Sequence, residues 1–359
     1  MTQAKPEHTC AIAGRDIGPD TPPYLIAEMS GNHNHDIDRA IAIIDAAADS
    51  GADAVKLQTY TADTMTLDID TPDFRIEDEK SLWNGRNLYD LYTEAHTPWD
   101  WHGPLFEHAK SRGIHIFSTP FDPTSVDFLE DLGAPAYKVA SFEMTDLRLI
   151  RKIASTGKPM IISTGMGSVA EVAQTVETAR AAGAKDIIVL KCTSTYPATP
   201  ANSHLATIPN MRDTFDCAIG LSDHTLGCGV AVAAVAMGAP LVEKHFTLRR
   251  ADGGVDSAFS MEPAEWRMMR EECDRAWQAM GEITYGGTKD EENSRIFRRS
   301  LYISQDVKAG DELTPENMRI VRPGYGLEPK FYETLLGKRV ARDAAKGTRV
   351  DWSLLVPES

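Results

Sequence analysis

From residue 24 to about residue 280, short apolar runs rich in β-branched residues alternate with longer segments whose apolar positions recur at helical spacing. Eight such runs stand out, at 24–27, 54–58, 115–119, 136–141, 160–164, 187–192, 217–222 and 241–246. Strand-then-helix alternation predicts a parallel sheet wrapped by helices, and eight units in roughly 250 residues suit a closed (β/α)8 barrel. The intervening segments carry helix punctuation. Asp36-Ile-Asp-Arg-Ala-Ile-Ala-Ile-Ile supplies an N-cap before an amphipathic stretch, and Gly51 supplies a stop. Gly113, Gly133, Gly157, Gly183 and Gly238 repeat that stop a few residues before the next strand.

The alternation is interrupted once, by a segment from Thr61 to Thr97 carrying many charges and the aromatics Trp83, Tyr89 and Tyr92. Long segments at this end of a barrel shape access to the site. The alternation then stops. Residues 286–297, opening Gly-Gly-Thr-Lys-Asp-Glu-Glu-Asn-Ser, read as a solvated linker, dividing the chain into a barrel domain over 1–285 and a small domain over 298–359. The latter has too little core to be steady alone and is expected to dock on a barrel, its own or a partner's.

Composition narrows the partners. With 37 Lys+Arg against 53 Asp+Glu, the net charge of -16 repels nucleic acid and anionic membrane, so an anionic substrate must meet a locally basic site. No apolar run is long enough to span a bilayer and the polar N-terminus lacks a signal-peptide pattern, which predicts a cytoplasmic protein. The five scattered cysteines form no Cys-x-x-Cys pair and indicate neither a disulfide framework nor a thiolate zinc site.

In a barrel, the chemistry gathers at the C-terminal strand ends. There the sequence places Glu28, Lys56 with Gln58, Thr119, Lys138 with Ser141 and Glu143, Ser163, then Lys191, Ser194 and Tyr196, Ser222 with Asp223 and His224, and finally Glu243, Lys244 and His245. Period-two spacing sets Lys56 with Gln58, Ser222 with His224, and Glu243 with His245 on common faces. Buried charges are costly unless paired or functional, so Lys56 and Lys138 together suggest an anion-binding site. His224 and His245, with a carboxylate nearby, suit a two-histidine metal site completed by water and substrate oxygen.

Each residue also has a plainer explanation. A strand-end lysine can neutralise a scaffold carboxylate, a strand-end histidine is often a structural hydrogen-bonding group, and Glu28 or Glu243 can serve as a salt-bridge partner. Asn32-His33-Asn34-His35 is an alternative metal cluster. Trp83, Trp99 and Trp101 read as packing anchors rather than a sugar-stacking platform.

Several stretches resemble the N-acetylneuraminate synthase family: Ala27-Glu28, Asn32-His33, Lys56-Leu-Gln58-Thr59, Tyr137-Lys138-Val-Ala-Ser141, Ser163-Thr-Gly-Met166, Tyr196-Pro197, Gly220-Leu-Ser-Asp-His224 and Glu243-Lys-His-Phe-Thr247. The final unit resembles that family's antifreeze-like (SAF) domain. Tyr92-Thr-Glu-Ala-His-Thr-Pro-Trp99 with Trp101-His102 is most similar to the pseudaminic acid synthase branch. The resemblance implies condensation of phosphoenolpyruvate with 2,4-diacetamido-2,4,6-trideoxy-L-altrose, giving pseudaminic acid and phosphate, with N-acetylneuraminate and legionaminic acid synthesis as alternatives. It implies phosphoenolpyruvate on Lys56, Thr119, Lys138, Ser141, Ser163 and Ser222, and a divalent metal, manganese with magnesium or cobalt as alternatives, on His224 and His245. Glu28, Gln58, Glu143, Tyr196, Glu243 and Asp256 would face the sugar or the reacting water. Arg322, in Val321-Arg-Pro-Gly324, would reach the sugar from the partner in a domain-swapped homodimer. Ser194 departs from the pattern, since bacterial sialic acid synthases tend to carry Asn before the Tyr-Pro pair. Ser194 therefore points away from the sialic acid branch.

Such residues would hold phosphoenolpyruvate with its C3 against the sugar's carbonyl carbon while a metal polarises the aldehyde, with Glu28 or Glu243 as the base for water addition. The rival enzyme is a metal-independent Schiff-base aldolase using Lys138 as its amine. A non-catalytic carbohydrate-binding scaffold leaves the crowd of ionisable strand ends without a role.

Overall fold

A computed structural model describes residues 9–79 and 81–357 of the chain. It divides into two compact units, residues 1–281 and 282–359.

The first unit opens with a hairpin, β1 (Cys10–Ile12) against β2 (Arg15–Ile17). Eight parallel strands follow: β3 (Tyr24–Glu28), β4 (Ala54–Thr59), β5 (His115–Pro120), β6 (Tyr137–Val139), β7 (Met160–Ser163), β8 (Ile187–Cys192), β9 (Ala218–Asp223) and β10 (Leu241–His245). They pair in order and β10 closes on β3, so the sheet is the expected (β/α)8 barrel. The predicted run 136–141 is cut short because the chain turns after Val139: the Glu143 N–H bonds the Ala140 carbonyl at 3.2 Å, lifting Ser141 and Glu143 into the loop over the barrel mouth. Just past the last strand, Phe246 bridges Met261 and donates its N–H to the Glu28 carbonyl at 2.9 Å.

The hairpin was not anticipated. Its turn, Ala13-Gly14, has φ of 50° and 81°, the two positive values that a tight hairpin turn needs. Cys10, Ile12 and Ile17 pack with Tyr24, Ile26, Ala54, Phe117, Ile161, Ile188, Leu190 and Leu241, filling the N-terminal half of the barrel interior. Those barrel residues share their strand parity with Glu28, Lys56, Thr119, Lys138, Ser163, Ser222 and Glu243. One inward-facing set is thus apolar at the bottom and polar at the top. Interior space is tight: a Cβ on Gly220 would stand 2.5 Å from the Leu241 carbonyl oxygen, so only glycine fits there.

The opposite parity faces the helices. Leu25, Val55, Leu57, Tyr137, Val139, Ile162, Val189, Ile219 and Val242 pack with helical residues such as Ile43, Ile44, Leu129, Ile150, Ile153, Met211 and Met269. Asp36 caps the helix Ile37–Asp49 as predicted, accepting from the Asp38 and Arg39 amides, and Gly51 lies at φ +83°, in the left-handed region. The interrupting segment after β4 holds the helices Ala62–Met65 and Leu88–Ala95. The second unit holds a 3-10 helix, Lys289–Phe297, and an antiparallel pair, β11 (Ser300–Ile303) with β12 (Met318–Val321). Its own small core includes Leu301, Ile303, Leu313, Met318, Leu335, Val340, Val350 and Leu354. Among the described residues, no helix is long and apolar enough to cross a membrane.

Candidate active site

The polar upper layer converges on one carboxylate. Glu243 Oε1 lies 3.6 Å from Lys56 Nζ and 3.8 Å from Lys138 Nζ, and accepts from Ser222 Oγ at 3.4 Å. Lys56 also pairs with Glu28 at 2.8 Å and donates to Thr119 Oγ1 at 3.0 Å, while Lys138 donates to the Val139 carbonyl at 3.0 Å. Gln58 Nε2 donates to the other oxygen of Glu28 at 2.8 Å and to Ser30 Oγ at 3.2 Å; the Ser30 hydroxyl in turn bonds Asp256. Ser30 was missed in the sequence. It continues the inward parity of Glu28 by two residues, past the end of the strand, and that spacing is the signal that could have found it.

Burial and charged neighbours together set the charge states. Burial opposes ionisation at Glu243, yet the charges of Lys138 and Lys56 outweigh it and hold this carboxyl below its ordinary range. Glu28 goes the other way, since burial there outweighs Lys56 and raises the carboxyl. At Lys56 burial opposes the charge, but Glu243 and Glu28 together raise its pKa; at Lys138 burial wins and lowers it. Lys56 therefore rises despite a partner that is itself raised, because it draws on two carboxylates. The core of the site thus sets the ionised carboxylate of Glu243 between the amino groups of Lys56 and Lys138.

The two histidines stand together, with ring centroids 5.3 Å apart. His224 Nδ1 lies 2.9 Å from the Thr193 carbonyl, which can only accept, so Nδ1 carries the proton and Nε2 keeps its lone pair. His245 Nδ1 is buried without a hydrogen-bond partner, 3.6 Å from Asp256 Oδ2. Burial pushes His224 down to about 4 and, with His224 beside it, His245 well below its usual value, so both rings are neutral at neutral pH. These features fit a divalent cation. Among the described residues, no group of three or more His, Cys, Asp or Glu side chains is arranged to hold a metal by itself, so the two rings would need water or substrate oxygen to complete a shell.

Around this core, Ser141 and Ser194 share a hydroxyl–hydroxyl bond of 2.7 Å. Ser163 Oγ, Glu143 Oε2 and Glu243 Oε2 are buried with no hydrogen-bond partner. Burial raises Glu143 to about 7 and Asp256 to about 6. Tyr196 lies against His224, ring centroids 4.5 Å apart, and Phe259 against His245 at 4.8 Å.

Other candidates go elsewhere. His33 has both ring nitrogens engaged, Nδ1 by the His35 amide at 3.2 Å and Nε2 by the Thr97 hydroxyl at 3.2 Å, and its ring abuts Trp101; the 32–35 stretch is structural. Lys191 and Lys244 lie on the outward parity. Lys191 donates to the Cys192 carbonyl at 2.9 Å, and Lys244 pairs with Asp223 at 2.7 Å behind the barrel wall. Trp99 stacks on Phe128 at 4.6 Å, as an anchor. Arg322 belongs to the second unit, exposed just after β12.

The strand ends of this (β/α)8 barrel thus converge two lysines, two carboxyl groups and two neutral histidines in one buried polar site, as in the barrel enzymes. The chain belongs to the NeuB family, whose model matches residues 43–285, and residues 298–356 match the SAF domain. It is 41% identical over 328 residues to the pseudaminic acid synthase of Campylobacter jejuni, covering 91% of this chain and 95% of that one. With the N,N'-diacetyllegionaminic acid synthase of the same species it shares 36% identity over 318 residues, 88% of this chain and 94% of that one. Among solved structures, an N-acetylneuraminic acid synthetase from Leptospira borgpetersenii in complex with citrate superimposes with a TM-score of 0.72 at 27% identity, covering 80% of this chain and 95% of that one.

Proposed function

We propose that this enzyme is a pseudaminic acid synthase, condensing phosphoenolpyruvate with 2,4-diacetamido-2,4,6-trideoxy-L-altrose to give pseudaminic acid and phosphate. The observation that carries the anion half of this reading is the convergence of Lys56 and Lys138 on the carboxylate of Glu243. Both lysines, with Thr119, Ser141, Ser163 and Ser222, hold the phosphate and carboxylate of phosphoenolpyruvate. Gln58, Glu143, Tyr196 and Asp256 face the sugar. The identity to the Campylobacter enzyme supports the choice of sugar.

C3 of phosphoenolpyruvate bonds the aldehyde carbon, water adds at C2, and phosphate leaves with the bridging oxygen by C–O cleavage. Glu28, raised by burial, handles the proton of the entering water, while Glu243 holds the two lysines in place. A divalent cation on His224 and His245, expected to be manganese, would polarise the aldehyde oxygen. The protein is expected to act in the cytoplasm as a homodimer in which the partner's SAF domain brings Arg322 to the sugar.

The test is phosphate release from phosphoenolpyruvate by chelator-treated protein, with manganese restored or withheld, against the altrose-configured sugar, the legionaminic acid precursor and N-acetylmannosamine. Metal-dependent release with the first sugar alone is expected. Release with another sugar moves the substrate within the family, and no release overturns the condensation. Lys138, lowered by burial, is also suited to a Schiff base; borohydride trapping on Lys138 with chelator-resistant activity would favour the aldolase instead.

A further inference from the structure

Beside the catalytic core lies a cavity of about 510 Å³ between the segment that follows β4 and the loop that follows β10. Leu82, Trp83, Val255 and Ala258 give it apolar walls, and Arg86 and Glu94, ion-paired with each other, line it as well. It shares two backbone walls with the catalytic core. Gly31 faces the cavity while Ser30, next to it, bonds Gln58 and Asp256; Val255 faces the cavity while Asp256 turns to Ser30 and His245. The Trp83 indole donates to the Val255 carbonyl at 3.1 Å, which fixes its plane. Trp83 packs on Tyr196 at 5.7 Å between centroids, and Tyr196 packs on His224 at 4.5 Å. A continuous aromatic path therefore runs from the imidazole pair to the cavity.

We propose that this cavity receives the acylamido group on the sugar carbon remote from the aldehyde, making Trp83 a specificity-determining residue. The inference rests on the reading of the enzyme as a condensing synthase of amino-sugar aldehydes. With the aldehyde at the histidines, the packed rings of His224, Tyr196 and Trp83 lead from the reacting end of the sugar toward this cavity, the side on which its remote substituent would lie. The remote acyl methyl lies on Trp83 and Leu82, while the amide's polar atoms meet Arg86 and Glu94 at the polar side. A substituent lacking the acyl group forfeits both contacts.

Initial rates with the full-length, manganese-loaded enzyme test this for the wild type, Trp83→Ala and Trp83→Phe. Each is compared on the diacetamido sugar and on one with hydroxyl in place of the remote acylamido group. Trp83→Ala should raise KM for the diacetamido sugar about tenfold or more. KM for phosphoenolpyruvate and kcat/KM for the hydroxyl sugar should stay within about twofold, and Trp83→Phe should keep most of the wild-type preference. Equal losses on both sugars, or a raised KM for phosphoenolpyruvate, overturn the proposal. Should the wild type release no phosphate with either sugar, the condensing reading fails, and saturation-transfer NMR still decides the cavity's role. A strong signal from the remote acyl methyl that Trp83→Ala abolishes supports it, whereas an unchanged signal or no binding overturns it.

Discussion

Glu28 and Lys56 face each other across adjacent strands in register, with Oε2 2.8 Å from Nζ and side chains only 1% and 5% exposed. The pair is asymmetric, since Lys56 has Glu243 as a second partner and Glu28 is raised by burial. A carboxyl shifted toward neutrality is the one suited to exchanging protons during turnover. Glu28→Gln should therefore lower kcat by about 10²–10⁴ while leaving KM for phosphoenolpyruvate within about threefold. Glu243→Gln should change the phosphoenolpyruvate KM more and kcat less. Steady-state kinetics showing the reverse pattern would exchange the two roles.

A second lysine, one residue from Glu243, has no such duty. Lys244 pairs with Asp223 at 2.7 Å, both side chains 1% exposed, on the face of the barrel wall turned to the helices. Lys244→Met strands Asp223 as an unpaired buried charge and should cost about 3–5 kcal/mol, read as a lower urea midpoint. Combining it with Asp223→Asn should recover part of the loss. Specific activity per folded molecule should stay near wild type. A collapse in kcat with unchanged stability would place Lys244 in the chemistry.

Strand parity explains how much of this was legible. The eight runs become β3 to β10 because β-branched apolar stretches bounded by glycine stops have few other packings, and alternation alone separates inward Glu243 and His245 from outward Lys244. Loops carry no such period. Ser30 keeps the two-residue spacing from Glu28 but lies past the strand's end at φ 48°, where a strand period no longer has to hold, and the turn at Ala140 lifts Ser141 and Glu143 off the strand predicted for Ser141. The hairpin plugging the barrel floor escaped because three-residue strands are too short for a period to register. His33 was ambiguous for a different reason: its partners, Thr97 and Trp101, lie more than sixty residues away in sequence, and only the fold brings them to it.

The histidine pair makes a metal prediction that does not depend on turnover. A cation bound by the folded state alone stabilises it by RT ln(1 + [L]/Kd), about 2.7 kcal/mol at a hundredfold excess over Kd. Manganese added to chelator-treated wild type should raise Tm by several degrees, and that rise should vanish in His224→Ala and in His245→Ala. An undiminished rise in both variants would place the metal elsewhere.

Glu143 supplies a pH test. Burial raises its carboxyl to about 7, with Lys138 opposing only in part, and Oε2 has no hydrogen-bond partner. In the unfolded chain the same group titrates at its ordinary value of 4.5. Between those two values the folded state holds the proton more tightly, so this group's contribution is full below about pH 4.5 and is lost as pH rises through 7. Between pH 5 and pH 8 the loss amounts to about 2 kcal/mol, since each tenfold difference in proton affinity between the folded and unfolded states corresponds to about 1.4 kcal/mol. Glu143→Gln cannot ionise and should flatten that part of the profile. Urea unfolding of both proteins at pH 5 and pH 8 reads the effect as a difference of differences, in which the other titrating groups cancel. The wild type should lose about 2 kcal/mol more than the variant on going to pH 8. Parallel losses would mean that the Glu143 carboxyl is solvated and ionises normally, and its place facing the sugar would then have to be given up.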